Sequence, residues 1–422
     1  MANVFTLLDR YLIPVMTRPS EQRHLRAVRD GIIATIPLII VGSFFMIIAF
    51  PPLPFLAAAV KPYVKEVLLV YRLTMGLMAL YASHSIGYYL AKSYKLDGVS
   101  GGMLAMAAFL LTNVPVTYGD RGLALLMENL GGGSMFVAII MAIFAVEVLR
   151  FAKAKRFTIK MPDGVPDSVA RSFEALIPAA VILPSVWAVR NVMGFDIHHF
   201  VLILFEPLVM AGNTLAGVLV PIIIISLLWS TGIHGDSVVG SVARPVWLVL
   251  LDQNIAAAAA GQPIPNIAPE PFFQWFVWIG GSGVTIGLVL LMLFSKAPYL
   301  KSIGRTALMP GICNINEPVI FGVPVMLNPL LFIPFLLAPV TIGILSYFIM
   351  HLGLVSKPYI LVPWTLPAPV GAYLATGGDW RAIVLVVVNI AITTALYYPF
   401  FKAYERKLIR EGGGTIGEED QP

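Results

Sequence analysis

The sequence predicts an all-α polytopic membrane protein with about ten transmembrane helices and both termini in the cytoplasm. Of the 422 residues, 58% are hydrophobic and 12% are charged, whereas a typical soluble domain has about 25% charged residues. The apolar stretches are nearly continuous, as from Val218 to Trp229, which excludes the alternating pattern of a membrane β-barrel. Basic residues cluster beside several of these stretches, as expected for helices that cross a membrane in series.

The apolar stretches give the individual spans, since a helix that crosses the hydrocarbon core needs about 20 mostly apolar residues. Nine spans are predicted, at 32–50, 67–91, 101–116, 135–151, 173–192, 215–229, 273–294, 330–350 and 382–401. A tenth is predicted near 195–210. Two further apolar segments, 233–260 and 303–326, are shorter and interrupted.

The distribution of positive charge indicates the orientation, because cytoplasmic loops have an excess of Lys and Arg. The arginines before the first span are Arg10, Arg18, Arg23, Arg26 and Arg29. Other basic groups follow the second, fourth and last spans, at 92–95, 150–160 and 402–410. This pattern places both termini in the cytoplasm. The net charge of +5 is therefore explained by topology and contact with membrane lipids, and no basic, aromatic-rich patch indicates a nucleic-acid partner.

Residue types that bind metals or nucleotides are sparse. The one cysteine, Cys313, excludes a disulfide framework and a cysteine-based metal site within one chain. The six histidines show no metal-ligand spacing, and the pair His198-His199 is adjacent to a predicted membrane interface. No Walker loop is present. We therefore expect no metal and no cofactor. Separately, we expect no cleavable signal peptide.

Glycine and proline divide the chain into two halves of different character. The first half, residues 1–192, has long uninterrupted spans and is expected to be a scaffold that forms subunit contacts. The second half, residues 193–404, has Gly- and Pro-rich interruptions at 232–235, 263–271, 280–283 and 310–322. Broken hydrophobic segments indicate the substrate site of a membrane transporter, so we assign substrate handling to the second half. Residues 405–422 are expected to form a cytoplasmic tail.

The most informative motif is Asn314-Ile-Asn-Glu-Pro-Val-Ile-Phe-Gly322, which has long apolar stretches on both sides. Its carboxylate, Glu317, indicates a functional site, because a charge at bilayer depth is costly. Irregular backbone at that depth persists only inside the protein or beside a watery cavity. We interpret Glu317 as a hydrogen-bond acceptor or a base for a ligand hydroxyl; the alternative is a cap on backbone amides. The Asn314 and Asn316 side chains either bind a polyhydroxylated ligand or satisfy the broken backbone.

Three other side chains are candidates for the same site. His234 follows Trp229 by five residues, at the end of an apolar span. Imidazole can orient a hydroxyl or accept its proton; the alternative is a bond to helix-terminal carbonyls. Trp229 and Trp364 are candidate platforms for the apolar face of a sugar ring, although tryptophan is also common at membrane interfaces. Two acids, Asp252 and Glu270, are either polar lining or loop residues.

These motifs together resemble enzyme IIC of bacterial sugar phosphotransferase systems. Asn316-Glu-Pro-Val-Ile-Phe-Gly322, followed by Pro324 and Leu327-Asn-Pro329, is similar to the signature of that superfamily. Within it, the lactose, cellobiose and N,N'-diacetylchitobiose branch is the most similar. Supporting stretches are 91–97, 164–178 and Gly232-Ile-His-Gly235. The similarity extends from the N-terminal arginines to the last span.

The resemblance implies a homodimer of ten-span subunits in the bacterial inner membrane, with two re-entrant hairpins in each C-terminal transport half. It implies that a disaccharide is carried inward and phosphorylated, usually at its C6 hydroxyl, by a phosphocysteine of a cytoplasmic enzyme IIB. By motif position, the glutamate and histidine of the family's site fall on Glu317 and His234. We expect no fused IIA or IIB domain, so IIB is a separate chain, and Cys313 is not the phosphocysteine. The chain is then an enzyme only as the membrane subunit of a protein-phosphocysteine–sugar phosphotransferase.

Two other functions are compatible with parts of the sequence. A proton-coupled sugar symporter would use Glu317 as its proton carrier and would need no IIB. A membrane enzyme, such as a lipid-linked sugar transferase, would need clustered acids and basic residues at the membrane interface, and we see no such cluster. Ring stacking and hydroxyl bonding serve many disaccharides, so these residues do not select one of them.

Overall fold

The computed structural model describes residues 22–49, 51, 54–159, 161–162, 164–230, 234–323, 325 and 328–410. Some sequence predictions lie outside these ranges. They concern the arginines at positions 10 and 18, residues 232–233 of the histidine motif, Pro324 and Leu327 of the signature, and the tail from residue 411.

The first half is a series of helices with a longer, largely irregular connection between the sixth and the seventh. They are α1 (Arg23–Ile33), α2 (Ile36–Ala49), α3 (Pro54–Val60), α4 (Val64–Thr74), α5 (Met78–Ser93), α6 (Gly98–Leu111), α7 (Met135–Ala154), α8 (Asp167–Glu174) and α9 (Leu176–Trp187). Single turns of 3₁₀-helix lie at Lys61–Tyr63, Met75–Leu77, Gly119–Arg121, Met127–Asn129 and Gly132–Ser134. Within the described ranges, strands occur as one small antiparallel pair between α6 and α7, formed by β1 (Val116–Thr117) and β2 (Leu123–Ala124).

The second half follows a π-helical turn at Ala188–Val192. Its helices are α10 (Ile197–Gly212), α11 (Leu215–Ser230), α12 (Gly235–Ala259), α13 (Glu270–Phe272), α14 (Ile286–Leu293), α15 (Pro298–Ile312), α16 (Glu317–Gly322), α17 (Pro329–His351), α18 (Ala368–Ala375) and α19 (Trp380–Arg410). A second π-helical turn, Phe273–Val277, continues α13.

Several of these elements can cross a membrane. Among the described residues, four helical runs are long and apolar enough: Ala58–Ser93, Gly132–Ala154, Leu330–His351 and Trp380–Arg410. A fifth crossing is formed if Leu176–Val192 and Ile197–Gly212, which meet at 88°, act as one broken span. Gly98–Leu111 and Leu215–Trp229 are shorter apolar helices. The protein is therefore a mostly helical, multi-span membrane protein, while ten spans stays a prediction.

Two predicted segments differ from the structure. The sequence predicts one span at 273–294, but the helix is broken at residues 278–285. Gly280, Gly281 and Gly283 have φ values of 78°, 95° and 80°, a left-handed conformation that glycine adopts without steric cost. Conversely, the sequence predicts an interruption within 233–260, but Gly235–Ala259 is one helix of 25 residues that includes Pro245. The second half is therefore broken at 278–285 and 313–316, and not within α12.

The helices pack into two groups that α12 connects. In the first half, α5, α6 and α7 pack against one another, and α1 packs against α5. In the second half, α14 packs against α15 and α19, and α17 packs against α11 and α19. Helix α12 contacts α10 and α11 and also contacts α1 and the Gly132–Ser134 turn. It therefore lies at the boundary between the two predicted halves, whose different roles stay a prediction.

Small residues allow the first-half helices to approach closely. A Cβ added at Gly87 of α5 would lie 2.5 Å from the Cβ of Ala105 on α6, and one added at Gly101 would lie 2.5 Å from the Cβ of Ala91. Membrane helices use small residues in this way, because lipid supplies no hydrophobic force between helices and close backbone packing replaces it.

Candidate functional site

All six residues predicted to bind a ligand line one cavity of about 580 Å³. They are Trp229, His234, Asn314, Asn316, Glu317 and Trp364. They come from three parts of the second half: the α11–α12 junction, the break between α15 and α16, and the loop before α18. The first half adds Ile32, Ile36 and Ile39 to the lining. The volume is within the range of pockets that enclose small organic ligands.

Asn314 connects three segments of the cavity wall. It has a φ of 62°, which asparagine tolerates better than most residues. Its Oδ1 accepts a hydrogen bond from the Gly280 N–H at 2.9 Å, and its Nδ2 donates to the carbonyls of Trp364 at 2.8 Å and Leu366 at 3.0 Å. These bonds satisfy backbone groups that the breaks leave without helical partners. The sequence left two roles open for Asn314, and these bonds correspond to the structural role. A role in ligand binding stays a prediction.

Asn316 makes a similar link one residue before the carboxylate. Its Nδ2 donates to the Ser282 carbonyl at 2.8 Å. The two breaks approach so closely here that a Cβ added at Gly281 would lie 2.6 Å from Asn316 Cγ. A glycine is therefore required at position 281 both for its φ and for the space that Asn316 occupies.

Glu317 is the first residue of α16, with Pro318 at the second position. Its side chain is partly buried beside the cavity. Among the described residues it makes no hydrogen bond or ion pair, so it does not act as the backbone cap that was the alternative role. An ionised carboxylate has about four acceptor positions. Those of Glu317 are available to ligand hydroxyl groups.

Trp229 and His234 form an aromatic corner at the α11–α12 junction. Their ring centroids are 4.5 Å apart and their planes meet at 47°. Trp229 is only 3% exposed, so it is part of the wall and not a membrane-interface residue. Trp364 is 44% exposed and lies in the loop whose carbonyl accepts from Asn314. The two tryptophans thus differ in setting: one is fixed in the wall and the other is at its rim.

Sequence reasoning missed several polar residues that line the cavity. Asp236 accepts a hydrogen bond from the Trp229 indole Nε1 at 3.0 Å. Arg244 forms an ion pair with Glu270, with Nη2 and Oε1 2.9 Å apart. Gln274 and Ser282 also line the cavity, so four polar residues were missed. Glu270, the partner of Arg244, is the acid for which the sequence left lining or loop open, and it lines the cavity. Two of these had a local signal: Asp236 is two residues after His234, and Arg244 is a charge inside a long apolar segment.

Two other candidates lie elsewhere. Asp252 is on α12, but its Oδ2 accepts from the Gly133 N–H at 3.1 Å, and it does not line the cavity. His198 is bonded to Thr112 and Ser134 beside a separate cavity of about 620 Å³. Within the described part of the chain, no cluster of three or more His, Cys, Asp or Glu residues could hold a metal ion.

The cavity therefore offers an apolar ring face, the Glu317 carboxylate, which has no partner among the described residues, an imidazole and the Arg244–Glu270 ion pair. Such a lining suits an uncharged molecule with several hydroxyl groups, because aromatic rings cover C–H faces and carboxylates accept hydroxyl protons. Together, the fold and the cavity define a multi-span helical membrane protein with a solute-sized polar cavity between broken helices.

The family comparison identifies this class more closely. The family description "Phosphotransferase system, EIIC" matches residues 29–339. The chain therefore belongs to the EIIC family, the membrane permease subunits of sugar phosphotransferase systems.

Individual relatives agree over nearly the whole chain. The cellobiose-specific EIIC component of Geobacillus stearothermophilus is 40% identical, covering 97% of this chain and 96% of that protein. The lactose-specific EIICB component of Staphylococcus aureus (strain COL) is 32% identical, covering 95% of this chain and 72% of that protein. The crystal structure of ChbC, the IIC component of the N,N'-diacetylchitobiose-specific phosphotransferase system, superposes with a TM-score of 0.91. It is 40% identical, with 97% of this chain and all of that chain covered.

Proposed function

We propose that this protein binds a disaccharide of the cellobiose, diacetylchitobiose or lactose type, carries it inward and presents a hydroxyl group to a phosphorylated IIB protein. The observation that carries the proposal is the unpaired Glu317 carboxylate, which shares one cavity with His234 and Trp229 in a chain of the EIIC family. The printed specificities of the relatives, cellobiose, lactose and diacetylchitobiose, support the substrate class.

Each side chain has a distinct proposed role. The Trp229 indole covers the apolar face of one sugar ring, and Trp364 covers the ligand at the rim. Glu317 accepts a hydrogen bond from the hydroxyl that reacts. His234, beside the indole, orients that hydroxyl or accepts its proton. Asn316 offers its Oδ1 to a further hydroxyl, while Asn314 maintains the wall.

The chemical step needs little from the membrane subunit except position. The sugar oxygen attacks the phosphorus of the IIB phosphocysteine, the P–S bond breaks and an O–P bond forms. The hydroxyl proton moves to Glu317 or His234, and the cysteine leaves as thiolate. Phosphoryl transfer of this kind depends mainly on positioning and electrostatics. The product is an anion, and once the proton has left the site the ionised Glu317 carboxylate repels it, which favours its release.

The assembly around this step follows from the same proposal. IIB is a separate cytoplasmic chain here, whereas the Staphylococcus EIICB relative combines both components by name. The protein is a homodimer in the inner membrane, with cytoplasmic termini. Residues 1–192 form the dimer contact, and the transport half, 193–404, moves against it by alternating access.

Reconstituted vesicles test the function directly. Radiolabelled cellobiose, diacetylchitobiose or lactose is added to the medium outside vesicles that contain the protein. IIB and its phosphate donors are enclosed inside the vesicles. We expect sugar phosphate to accumulate only when phosphorylated IIB is present. Accumulation of unmodified sugar driven by a pH gradient, without IIB, would instead identify a proton symporter and reject the proposal.

A further inference from the structure

Asp236 joins two walls of the cavity through one oxygen atom. Its Oδ2 accepts hydrogen bonds from the Trp229 indole Nε1 at 3.0 Å and from the Ser282 hydroxyl at 2.5 Å. Trp229 belongs to the α11–α12 junction, which also holds His234, whereas Ser282 belongs to the break at 278–285. Asp236 itself is in the first turn of α12.

The connection continues from Ser282 to the residue before Glu317. The Ser282 carbonyl accepts from Asn316 Nδ2 at 2.8 Å, and Asn316 directly precedes Glu317 in the chain. Ser282 is 6% exposed and Asn316 is 5% exposed, so this path is enclosed in protein. One series of hydrogen bonds therefore links the indole to the backbone that holds the carboxylate.

The carboxylate of Asp236 suits this position better than a neutral group. Hydrogen bonds to an ionised acceptor are shorter and about twice as strong as neutral ones, and the two donors meet at a single oxygen. The nearby Arg244 is paired with Glu270, and two hydrogen-bond donors meet the charge of Asp236 at its Oδ2. Its place in the first turn of α12 adds the favourable end of the helix dipole.

We propose that Asp236 is a positioning residue for sugar phosphorylation, which fixes the distance between the Trp229 platform and Glu317. This inference rests on the proposed function. A sugar ring held on the indole presents its hydroxyl to Glu317 and His234 only if both walls keep their separation. A displacement of about 1 Å can reduce the rate of a positioned reaction by about 10²-fold. Asp236 thus acts on the reaction without receiving a proton or contacting the phosphoryl group.

The test compares Asp236→Ala and Asp236→Asn with the wild-type protein. We measure the disaccharide Kd by calorimetry with cellobiose, and the phosphorylation rate at saturating sugar and phosphorylated IIB. For Asp236→Ala we expect the Kd to increase about tenfold, as for loss of a bond to a charged group, and the saturated rate to fall by roughly 30- to 100-fold. Asp236→Asn keeps the shape and one acceptor oxygen, so we expect an intermediate loss in both quantities.

A double-mutant cycle shows whether the effect passes through the indole. Trp229→Phe keeps a stacking ring but removes the Nε1 donor. If Asp236 acts by holding that ring, Asp236→Asn costs less in the Trp229→Phe background than in wild type, because contacting residues are non-additive. Full additivity of the two losses would overturn the inference.

Ser241→Ala is the matched control, since it removes a side-chain hydrogen bond on the same helix outside the cavity. We expect its Kd and saturated rate to change less than about twofold. If Asp236→Ala and Asp236→Asn lower only the unfolding temperature, with normal Kd and rate per folded protein, Asp236 is structural and the inference is wrong. If the wild-type protein binds no disaccharide, the proposed function fails first, which separates the two failures. If Asp236→Ala does not fold, Asp236→Asn and Ser282→Ala decide by the same measurements.

Discussion

At the scale of single residues, Glu317 differs from the other two carboxylates of the cavity, Asp236 and Glu270, in having no partner among the described residues. Asn314, Asp236 and Arg244 are all engaged with the protein. Burial of a carboxylate without a partner is unfavourable. We therefore expect a ligand to supply the hydrogen-bond donors for Glu317.

Glu317→Gln is therefore expected to fold but to lose most transport and phosphorylation. A hydrogen bond to a charged group contributes ~1.5–3 kcal/mol net, so we expect the sugar Kd to increase by roughly ten- to a hundred-fold. Calorimetric titration of the purified variant measures this change. Wild-type affinity in Glu317→Gln would reject its assignment to the site.

His234→Ala is expected to reduce the phosphorylation rate at least as much as sugar binding. Acid–base assistance contributes typically ~10²–10⁴-fold, whereas the stacking wall of Trp229 is still present in this variant. The measurement is the rate at saturating sugar and phosphorylated IIB, compared with the Kd. His351→Ala is the control, because His351 is exposed at the end of α17 and outside the cavity. A normal saturated rate in His234→Ala would leave only a binding or structural role.

At the scale of secondary-structure elements, the two breaks at 278–285 and 313–316 stabilise each other. The Gly280 N–H and the Ser282 carbonyl of the first break have no helical partners, and the Asn314 and Asn316 side chains of the second break satisfy them. Irregular backbone at membrane depth is tolerated only with such partners. The breaks thus form one unit, although 34 residues separate the bonded pairs in sequence.

Gly281→Ala is expected to disrupt this unit. The substitution places a Cβ at a φ of 95° and 2.6 Å from Asn316 Cγ, which costs at least about 2 kcal/mol from backbone strain and overpacking together. We expect a lower unfolding temperature in detergent and weaker sugar binding, because Asn316 and Glu317 must shift. Gly240→Ala is the matched control: it lies inside α12 with open space around the added Cβ, so helix propensity predicts a gain of up to about 1 kcal/mol. Equal effects of both substitutions would contradict this account.

At the scale of the whole molecule, α12 is where the proposed movement of the two halves against each other would occur. It contacts α1 and the Gly132–Ser134 turn on one side and α10 and α11 on the other. The bond from the Gly133 N–H to Asp252 crosses this boundary. Alternating access by movement of the second half would break or displace that contact.

Engineered disulfides test the movement in a Cys313→Ser background. A Cβ added at Gly132 lies 3.1 Å from Asp252 Cβ, close to the disulfide mean of about 3.8 Å. We expect oxidation of Gly132→Cys/Asp252→Cys to stop uptake by joining the halves, and reduction to restore it. Comparison of oxidised and reduced samples removes any effect of the substitutions themselves.

Two further pairs serve as controls for the disulfide test. A Cβ added at Gly42 lies 3.4 Å from Thr74 Cβ, within the first half, and one added at Gly212 lies 4.0 Å from Val246 Cβ, within the second. We expect neither disulfide to change uptake. Uptake that continues with the Gly132–Asp252 disulfide closed would show that the proposed movement does not occur there. Loss of uptake with Gly212–Val246 would place α10 in the static half.

The membrane setting, the helical class and the presence of a polar site were determined by the sequence, since each depends on local composition and spacing. Long apolar runs require a bilayer, and the motif Asn316-Glu-Pro-Val-Ile-Phe-Gly322 places a carboxylate beside proline and glycine residues that interrupt a helix. The six candidate site residues were predicted in the same way, and the structure brings all six into one cavity.

The partners of those residues were decided only by the tertiary structure. Asn314 bonds across 34, 50 and 52 residues, and Asp236 bonds across 46 residues to Ser282. Two predictions were wrong for the same reason. A break was predicted within 233–260, but α12 is continuous where its neighbours pack against it. One span was predicted at 273–294, but the glycine-rich turn inside it is held by Asn314 and Asn316. Periodicity along a chain records which face of a helix is apolar, but not which distant segment supplies the donor, because that depends on how the helices pack in three dimensions.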